Sequence, residues 1–490
     1  MANPKNIIIV VVDTLRASNL GCYGYPVNTS PNIDKLAKES VVFEDAYACS
    51  VKTDPAFTSI ASGLYPTTHG ILNHANRIKP QEMKKIGDIV FLAQTLKDKG
   101  YKCFGLDFLS RWHKRGFDYY LGIEGSPRSK RGKIIDWLRE KFNIKPGTGI
   151  QRFFEKTFLY NLLLRIVFAN KSTPYLPADK LVDRALDILK KDKSEKKFMF
   201  LHFWDPHKPY WPPQRYIDQL KDVDYLNIYP QANKSLSEIR NTICSPLSRF
   251  FFDQMAHDKD KTEELIRAYD AEIKFLDDNL GRLLKQVSKD DLLIFTADHG
   301  ESLVEHNNYF CHEGLYQLTL RIPFILRFSG LAPKKVSGLV QSVDIMPTVL
   351  DFLGDKFDKE FDGKSLRLLM QGEPLREVGF AIDSSGLRRQ AAVFTKEYKY
   401  IAPILGDKNI CEYCRCQHGF KEALFDLTND PGEVKNIIKE FPDIAQKYKK
   451  MLNSFFDKTA DAKGLDESFS QDSDDENDKI KKRLQDLGYF

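Results

Sequence analysis

Short, unbroken apolar runs alternate along this chain with longer stretches whose apolar residues recur at helical spacing. Asn6-Ile7-Ile8-Ile9-Val10-Val11-Val12 offers neither face to water, so residues 6–13 read as a strand covered on both sides. Lys197 to Phe203 and Leu292 to Thr296 read the same way. Helices are predicted over 31–40, where Ser30-Pro31 marks the approach, and over 55–62, 88–99 and 262–288. This alternation predicts an α/β fold: a doubly wound, mostly parallel sheet flanked by helices. Ligands then belong at the carboxyl ends of the strands. Asp13, Asp205, His207, Asp298 and His299 all follow strand runs.

Two regions depart from that rhythm. Residues 125–180 begin with Arg128, Lys130, Arg131 and Lys133 and continue with Phe154, Phe158, Leu162 and Ile166 at helical spacing. They read as an inserted helical hairpin, with a substrate lid or a peripheral membrane contact as alternatives. From about residue 375 the runs shorten, which predicts a smaller C-terminal α+β subdomain over 375–458 behind a catalytic domain of 1–374. Residues 459–490 read as an acidic mobile tail ending in a short amphipathic helix.

Composition narrows the partners. Of 490 residues, 42% are hydrophobic and 29% charged, as in an ordinary soluble protein, and the net charge of +5 does not suggest nucleic-acid binding. The strand at the start is too short for a signal-peptide core, and no run reaches membrane-spanning length. The eight cysteines show no disulfide framework. The expectation is a cytoplasmic protein with reduced thiols; oligomeric state is not readable.

The chemistry-bearing residues sit at predicted strand ends and helix starts. In Thr53-Asp54-Pro55-Ala56-Phe57, Pro55 suits a first helical turn, and Thr53 or Asp54 can cap it, which aims backbone N–H groups at whatever Thr53 touches. Asp13, Asp298, His299 and the Thr53 oxygen make an O/N donor set for one divalent metal: manganese, magnesium, calcium or zinc. Such an ion would lower the Thr53 hydroxyl pKa. His207, in the proline-rich Asp205-Pro206-His207-Lys208-Pro209, can protonate a leaving oxygen, and Lys208 can hold an anion. His312 and Arg111-Trp112-His113 are candidates for the same pocket. Cys411, Cys414, Cys416 and His418 could close a structural zinc site, with reduced loop thiols as the default.

The chain resembles the sulfatases of the alkaline phosphatase superfamily over nearly its full length. The resemblance is carried by Val12-Asp13-Thr14-Leu15-Arg16 with Leu20-Gly21-Cys22-Tyr23-Gly24, Ser30-Pro31-Asn32-Ile33-Asp34, Gly63-Leu64-Tyr65-Pro66-Thr67-Thr68-His69-Gly70, Asp205-Pro206-His207, Asp298-His299-Gly300-Glu301, Val343-Asp344-Ile345-Met346-Pro347-Thr348 and Leu424-Phe425-Asp426-Leu427. It implies metal ligands at Asp13, Asp298 and His299, an anion-binding histidine at His207 and a leaving-group residue at His312. Arg111-Trp112-His113 is similar to the family's K-W-H element, with arginine for lysine.

Three departures stand out. Thr53-Asp54-Pro55-Ala56-Phe57 aligns with the family's C/S-x-P-S-R motif, whose cysteine or serine is oxidised to formylglycine. Threonine carries a methyl on Cβ and cannot yield that aldehyde. Phe57 stands where the arginine is expected, and Thr14 where a second carboxylate is expected. The reading is a metal-dependent hydrolase of phosphate, phosphonate or sulfate esters with Thr53 as nucleophile, acting on a small anionic ester. A phosphoryl-headgroup transferase and a non-catalytic anion-binding protein are the alternatives.

Overall fold

The structure is a computed structural model that describes residues 3–75, 78, 80–122, 175–243, 246–257, 259–355, 361–384, 389–404 and 421–459. Its main sheet has eight strands: β1 (Asn6–Val12), β2 (Val41–Tyr47), β3 (Lys102–Leu106), β4 (Tyr119–Leu121), β5 (Lys197–Phe203), β6 (Leu292–Ala297), β7 (Phe324–Arg327) and β8 (Lys334–Gln341). They lie in the order β4-β3-β5-β1-β6-β7-β2-β8. Neighbours are parallel except at β7, which runs antiparallel to both β6 and β2. Ile7 to Val12 are at most 1% exposed, as a central strand without polar alternation requires. Each such side chain contributes about 1.5–3 kcal/mol on burial.

Helices flank this sheet in two packed groups. The first contains α1 (Pro31–Lys38), α4 (Ala178–Lys191) and α5 (Thr262–Leu284). The second contains α2 (Thr53–Ser62), α3 (Leu92–Asp98) and α6 (Ile345–Phe352). The strands end and start close to where their apolar runs do; the helix expected over 55–62 starts two residues earlier, at Thr53, and the other three are shorter than their periodicity suggests. The helix expected from 88 begins at Leu92, because the Phe91 N–H is taken by Gln94 Oε1 at 3.0 Å. The helix expected over 31–40 stops at Lys38, after which the Ser40 hydroxyl donates to the Leu36 carbonyl at 2.6 Å. The long helix of 262–288 ends at Leu284.

A second, antiparallel sheet follows in the order β12-β11-β10-β9, formed by β9 (Gly379–Asp383), β10 (Gln390–Phe394), β11 (Tyr398–Pro403) and β12 (Ala423–Asp426). Helix α7 (Pro442–Thr459) packs on β10 and β11 through Ala445, Tyr448 and Leu452. This sheet reaches the strand ends of the first. Asp383 Oδ2 accepts from the Gly314 N–H at 2.9 Å, and a buried Lys399–Glu433 pair (2.7 Å) sits where Glu433 also accepts from Gln317 N–H. The expected insertion before residue 175, the Cys411–His418 cluster and the tail after residue 459 lie outside the described residues. Among the described residues, no helix is long and apolar enough to cross a membrane, and Cys22, Cys49, Cys103 and Cys311 are free thiols.

Candidate active site

β1 and β6 deliver their following residues side by side. Asp13 continues the ladder by donating its N–H to the Phe203 carbonyl at 2.9 Å, and the chain then turns sharply. Thr14 adopts φ 55°, a left-handed conformation costly for a β-branched residue, and points its N–H at Asp298 Oδ1 (3.3 Å). On β6, the His299 N–H donates to the same Oδ1 at 2.8 Å, and His299 Nδ1 faces the Gly300 carbonyl at 3.0 Å. Gly300 is required here: a Cβ would lie 2.1 Å from the Leu318 carbonyl oxygen.

With Nδ1 occupied, the His299 Nε2 lone pair faces Asp298 Oδ2 at 3.3 Å and Asp13 Oδ1 at 3.9 Å. Asp13, Asp298 and His299 can each place a ligand atom within 4.8 Å of the others. Both Asp13 oxygens, Asp298 Oδ2 and His299 Nε2 are buried without a hydrogen-bond partner. Burial, then repulsion from Asp298, Glu301 and Asp107, holds Asp13 well above the ordinary carboxylate range. Burial pushes Asp298 up to about 8 and Glu301 up to about 7, and it pushes His299 down to about 3. Bare, buried carboxylates beside a neutral imidazole lack positive charge, so the donor set fits a divalent cation.

Thr53 is buried at the start of α2, although neither it nor Asp54 is the cap. The helix begins at Thr53, Lys52 is the N-cap, and no side chain closes the end. Nor is the N-terminus free, since His74 Nδ1 lies 3.3 Å from the Asp54 backbone nitrogen. The Asp54 carboxylate instead gathers nitrogen partners. His74 Nδ1 lies at 2.6 Å, His113 Nε2 at 3.2 Å and an Arg111 guanidinium nitrogen at 3.5 Å, and the Ala75 N–H donates at 2.8 Å. Burial would raise this carboxyl, but His74, His113 and Arg111 together hold it well below its usual range. Arg111 and His113 are thus brought beside Thr53 by its neighbour. Ser110 and Arg111 both have positive φ (60° and 59°), local strain that places the pair.

The loop after β5 supplies the far wall. Trp204 packs on His207 (4.0 Å between centroids), His207 lies 5.5 Å from His312, and His312 lies 4.6 Å from His299. Four of the five predicted histidines and aspartates at the strand ends, Asp13, His207, Asp298 and His299, therefore border one space together with His312. Burial keeps His207 and His312 well below the ordinary imidazole value, hence neutral. His312 Nδ1 stands 3.7 Å from the bare Glu301 Oε1. Lys208 donates its ammonium to the Phe310 carbonyl at 3.1 Å, so it braces the loop. Asp205 departs from expectation: its Oδ2 accepts from the Ala178 N–H at 2.9 Å, at the start of α4, and it does not join the site.

His202 is a site residue that periodicity does not announce. It is the sole imidazole in the apolar run of β5, in register with Val11, and so shares the face of Asp13 two residues further on. Its Nε2 reaches to 3.8 Å of Asp13 Oδ2, while Nδ1 meets Asp107 Oδ1 at 2.7 Å. Phe57, one turn along α2 from Thr53, packs on the His202 ring at 4.0 Å, which brings the start of α2 to this end of the sheet.

Comparison with known proteins identifies the family. The sulfatase family pattern matches residues 5–355, and the pattern described as "N-sulphoglucosamine sulphohydrolase, C-terminal" matches residues 305–462. A sulfatase from Formosa agariphila is 25% identical over 447 residues, covering 89% of this chain and 83% of its own. An arylsulfatase from Clostridium perfringens is 25% identical over 485 residues, covering 91% and 92%. The crystal structure of the phosphonate monoester hydrolase of Agrobacterium radiobacter superposes with a TM-score of 0.65 at 17% identity, over 93% of this chain and 96% of that one. The chain therefore belongs to the sulfatase family, within the alkaline phosphatase superfamily, and shares that family's ester-hydrolase ancestry.

Proposed function

We propose that this protein hydrolyses phosphate, phosphonate or sulfate esters by way of a covalent intermediate on Thr53, with phosphodiesters and phosphonates preferred over sulfates. The observation that carries the reading is the bare Asp13–Asp298–His299 donor set at the strand ends, with Thr53 buried at the head of α2. Asp13, Asp298, His299 and the Thr53 oxygen would hold the metal. When bound, it supplies positive charge that favours the ionised hydroxyl and the anionic ester.

The remaining chemistry belongs to the chain. Thr53 Oγ1 attacks phosphorus in line, so an O–P bond forms as the bond to the departing alcohol breaks. Neutral His312 or His207 takes the Thr53 proton and returns it to the leaving oxygen. Arg111 and His113, oriented by Asp54, contact the non-bridging oxygens. Water then attacks phosphothreonine and restores the hydroxyl. A sulfothreonine has no carbonyl-forming escape like that of a formylglycine hydrate, so sulfate esters turn over more slowly. Residues 1–374 carry these groups, and the subdomain of 375–458 edges the site through Asp383.

The test is turnover of aryl phosphodiesters, phosphonates and sulfates with manganese, magnesium, calcium or zinc, alongside Thr53→Ala. Quenched wild-type enzyme should carry a phosphoryl adduct on the Thr53 peptide by mass spectrometry. Full activity in Thr53→Ala would refute the nucleophile. Anion binding without turnover of any ester would favour a binding protein.

A further inference from the structure

His202 has the surroundings of a metal-ligating imidazole, yet it lies outside the Asp13–Asp298–His299 cluster. Such a histidine typically donates one ring N–H to a carboxylate, which fixes the tautomer and leaves the other nitrogen bare. Here Asp107 Oδ1 accepts from Nδ1 at 2.7 Å. Asp107 is itself held by the Phe108 and Leu109 N–H groups at 2.6 and 3.1 Å and by the Tyr120 hydroxyl. The ring is clamped on two sides, by Phe57 at 4.0 Å and Phe108 at 4.1 Å between centroids.

The orientation so fixed aims Nε2 at one atom. That atom is Asp13 Oδ2, 3.8 Å away, and both atoms are buried and unpartnered. The two lone pairs face each other with nothing on the protein to reconcile them. Asp13 Oδ1 meanwhile faces His299 Nε2 at 3.9 Å, so the carboxylate presents one oxygen to each of two imidazoles. Donors 3.8 Å apart can share an ion at bonds of about 2.0–2.2 Å. A carboxylate divided in this way can bridge cations about 3.5–4 Å apart.

We propose that Asp13 Oδ2 and His202 Nε2 form a second cation position, joined to the first through the Asp13 carboxylate. The mixed N/O donor pair selects a transition-type ion such as manganese, zinc or cobalt over calcium or magnesium. Two protein ligands leave its other positions to an oxygen of the anionic substrate. Phe57 then has a purpose that an arginine in its place would not serve: it holds the His202 ring without bringing a like charge beside the cation. The proposal rests on reading Asp13 as a cation ligand.

Equilibrium dialysis of chelator-stripped protein against manganese(II), with metal analysis and electron paramagnetic resonance, tests it. Wild type should bind two manganese ions per chain and show spin coupling between them. His202→Ala and the bulk-retaining His202→Gln should each bind one, uncoupled, with thermal unfolding confirming that both remain folded. One ion in wild type and one in both variants would overturn the second position and leave the Thr53 reading intact. One ion in wild type whose affinity falls about 10–100-fold in the variants would also overturn it, because His202 would then only support the first ion. No manganese, zinc or cobalt bound by wild type would overturn the cation reading of Asp13 itself.

Discussion

Asp13 and Asp54 are both buried aspartates bordering the same space, and the protein treats them in opposite ways. Asp54 is surrounded by His74, His113, Arg111 and the Ala75 N–H, and it is held ionised. Asp13 has no hydrogen bond to either oxygen, and burial, then repulsion from Asp298, Glu301 and Asp107, holds its carboxyl far above the ordinary range. One carboxylate comes with its own partners, the Arg111 guanidinium among them, and acts as a scaffold. The other is bare and has no counter-charge of its own. Burial alone does not tell them apart; the sign of the neighbouring charge does.

The difference can be broken from either side. The largest effect is expected at the residue between the two regions: Thr53→Ala should lower turnover by at least about 1,000-fold with an unchanged unfolding temperature, read by steady-state kinetics and calorimetry. Asp54→Asn should destabilise the protein by about 3–5 kcal/mol, since it removes the buried carboxylate that His113, His74 and Arg111 share. Its pH dependence has a definite sign. A carboxyl whose folded pKa is depressed contributes stability above its unfolded value of about 4, and that stability is lost as pH falls through the folded value. The unfolding-temperature gap between wild type and Asp54→Asn should therefore be widest near neutrality and close in acid.

The Asp13 side predicts smaller effects of opposite sense. A suitable divalent cation at about 100 times its Kd should stabilise the wild type by about 2.7 kcal/mol, visible as a rise in melting temperature that EDTA reverses. Asp298→Asn should abolish most of that rise. In EDTA, Asp13→Asn should be more stable than wild type near pH 7, by on the order of 1–3 kcal/mol, because the amide removes a buried group whose ionisation is opposed by its neighbours. A destabilised Asp13→Asn in EDTA would mean that Asp13 already has a counter-charge and that the comparison with Asp54 fails.

Much of this was legible from pattern alone. The apolar runs of β1, β5 and β6 located the central strands, and the polar residues just beyond β1 and β6 proved to be Asp13, Asp298 and His299 in one cluster. Asp205 shows the limit of that rule. It too follows a strand, but it spends its carboxylate on the start of α4, a partner 27 residues earlier in the chain. The antiparallel β7 also escaped the alternation rule, because a four-residue strand carries too little periodicity to register. His202 left one trace, a lone imidazole in an otherwise apolar strand, and that trace could have prompted the question of what it faces.

The sequence by itself determined the α/β class, the strands that end at the site and the residue types gathered there, because burial on two faces and delivery at a strand end are local consequences of composition and order. Only the tertiary structure decided which of those residues are bare and which are already satisfied. Asp54 meets Arg111 and His113 across more than fifty residues of chain, and Asp13 meets His202 and His299 across nearly two hundred and three hundred. The charge state of a buried carboxylate is set by neighbours within a few ångströms, and the linear order of the chain does not specify who those neighbours are.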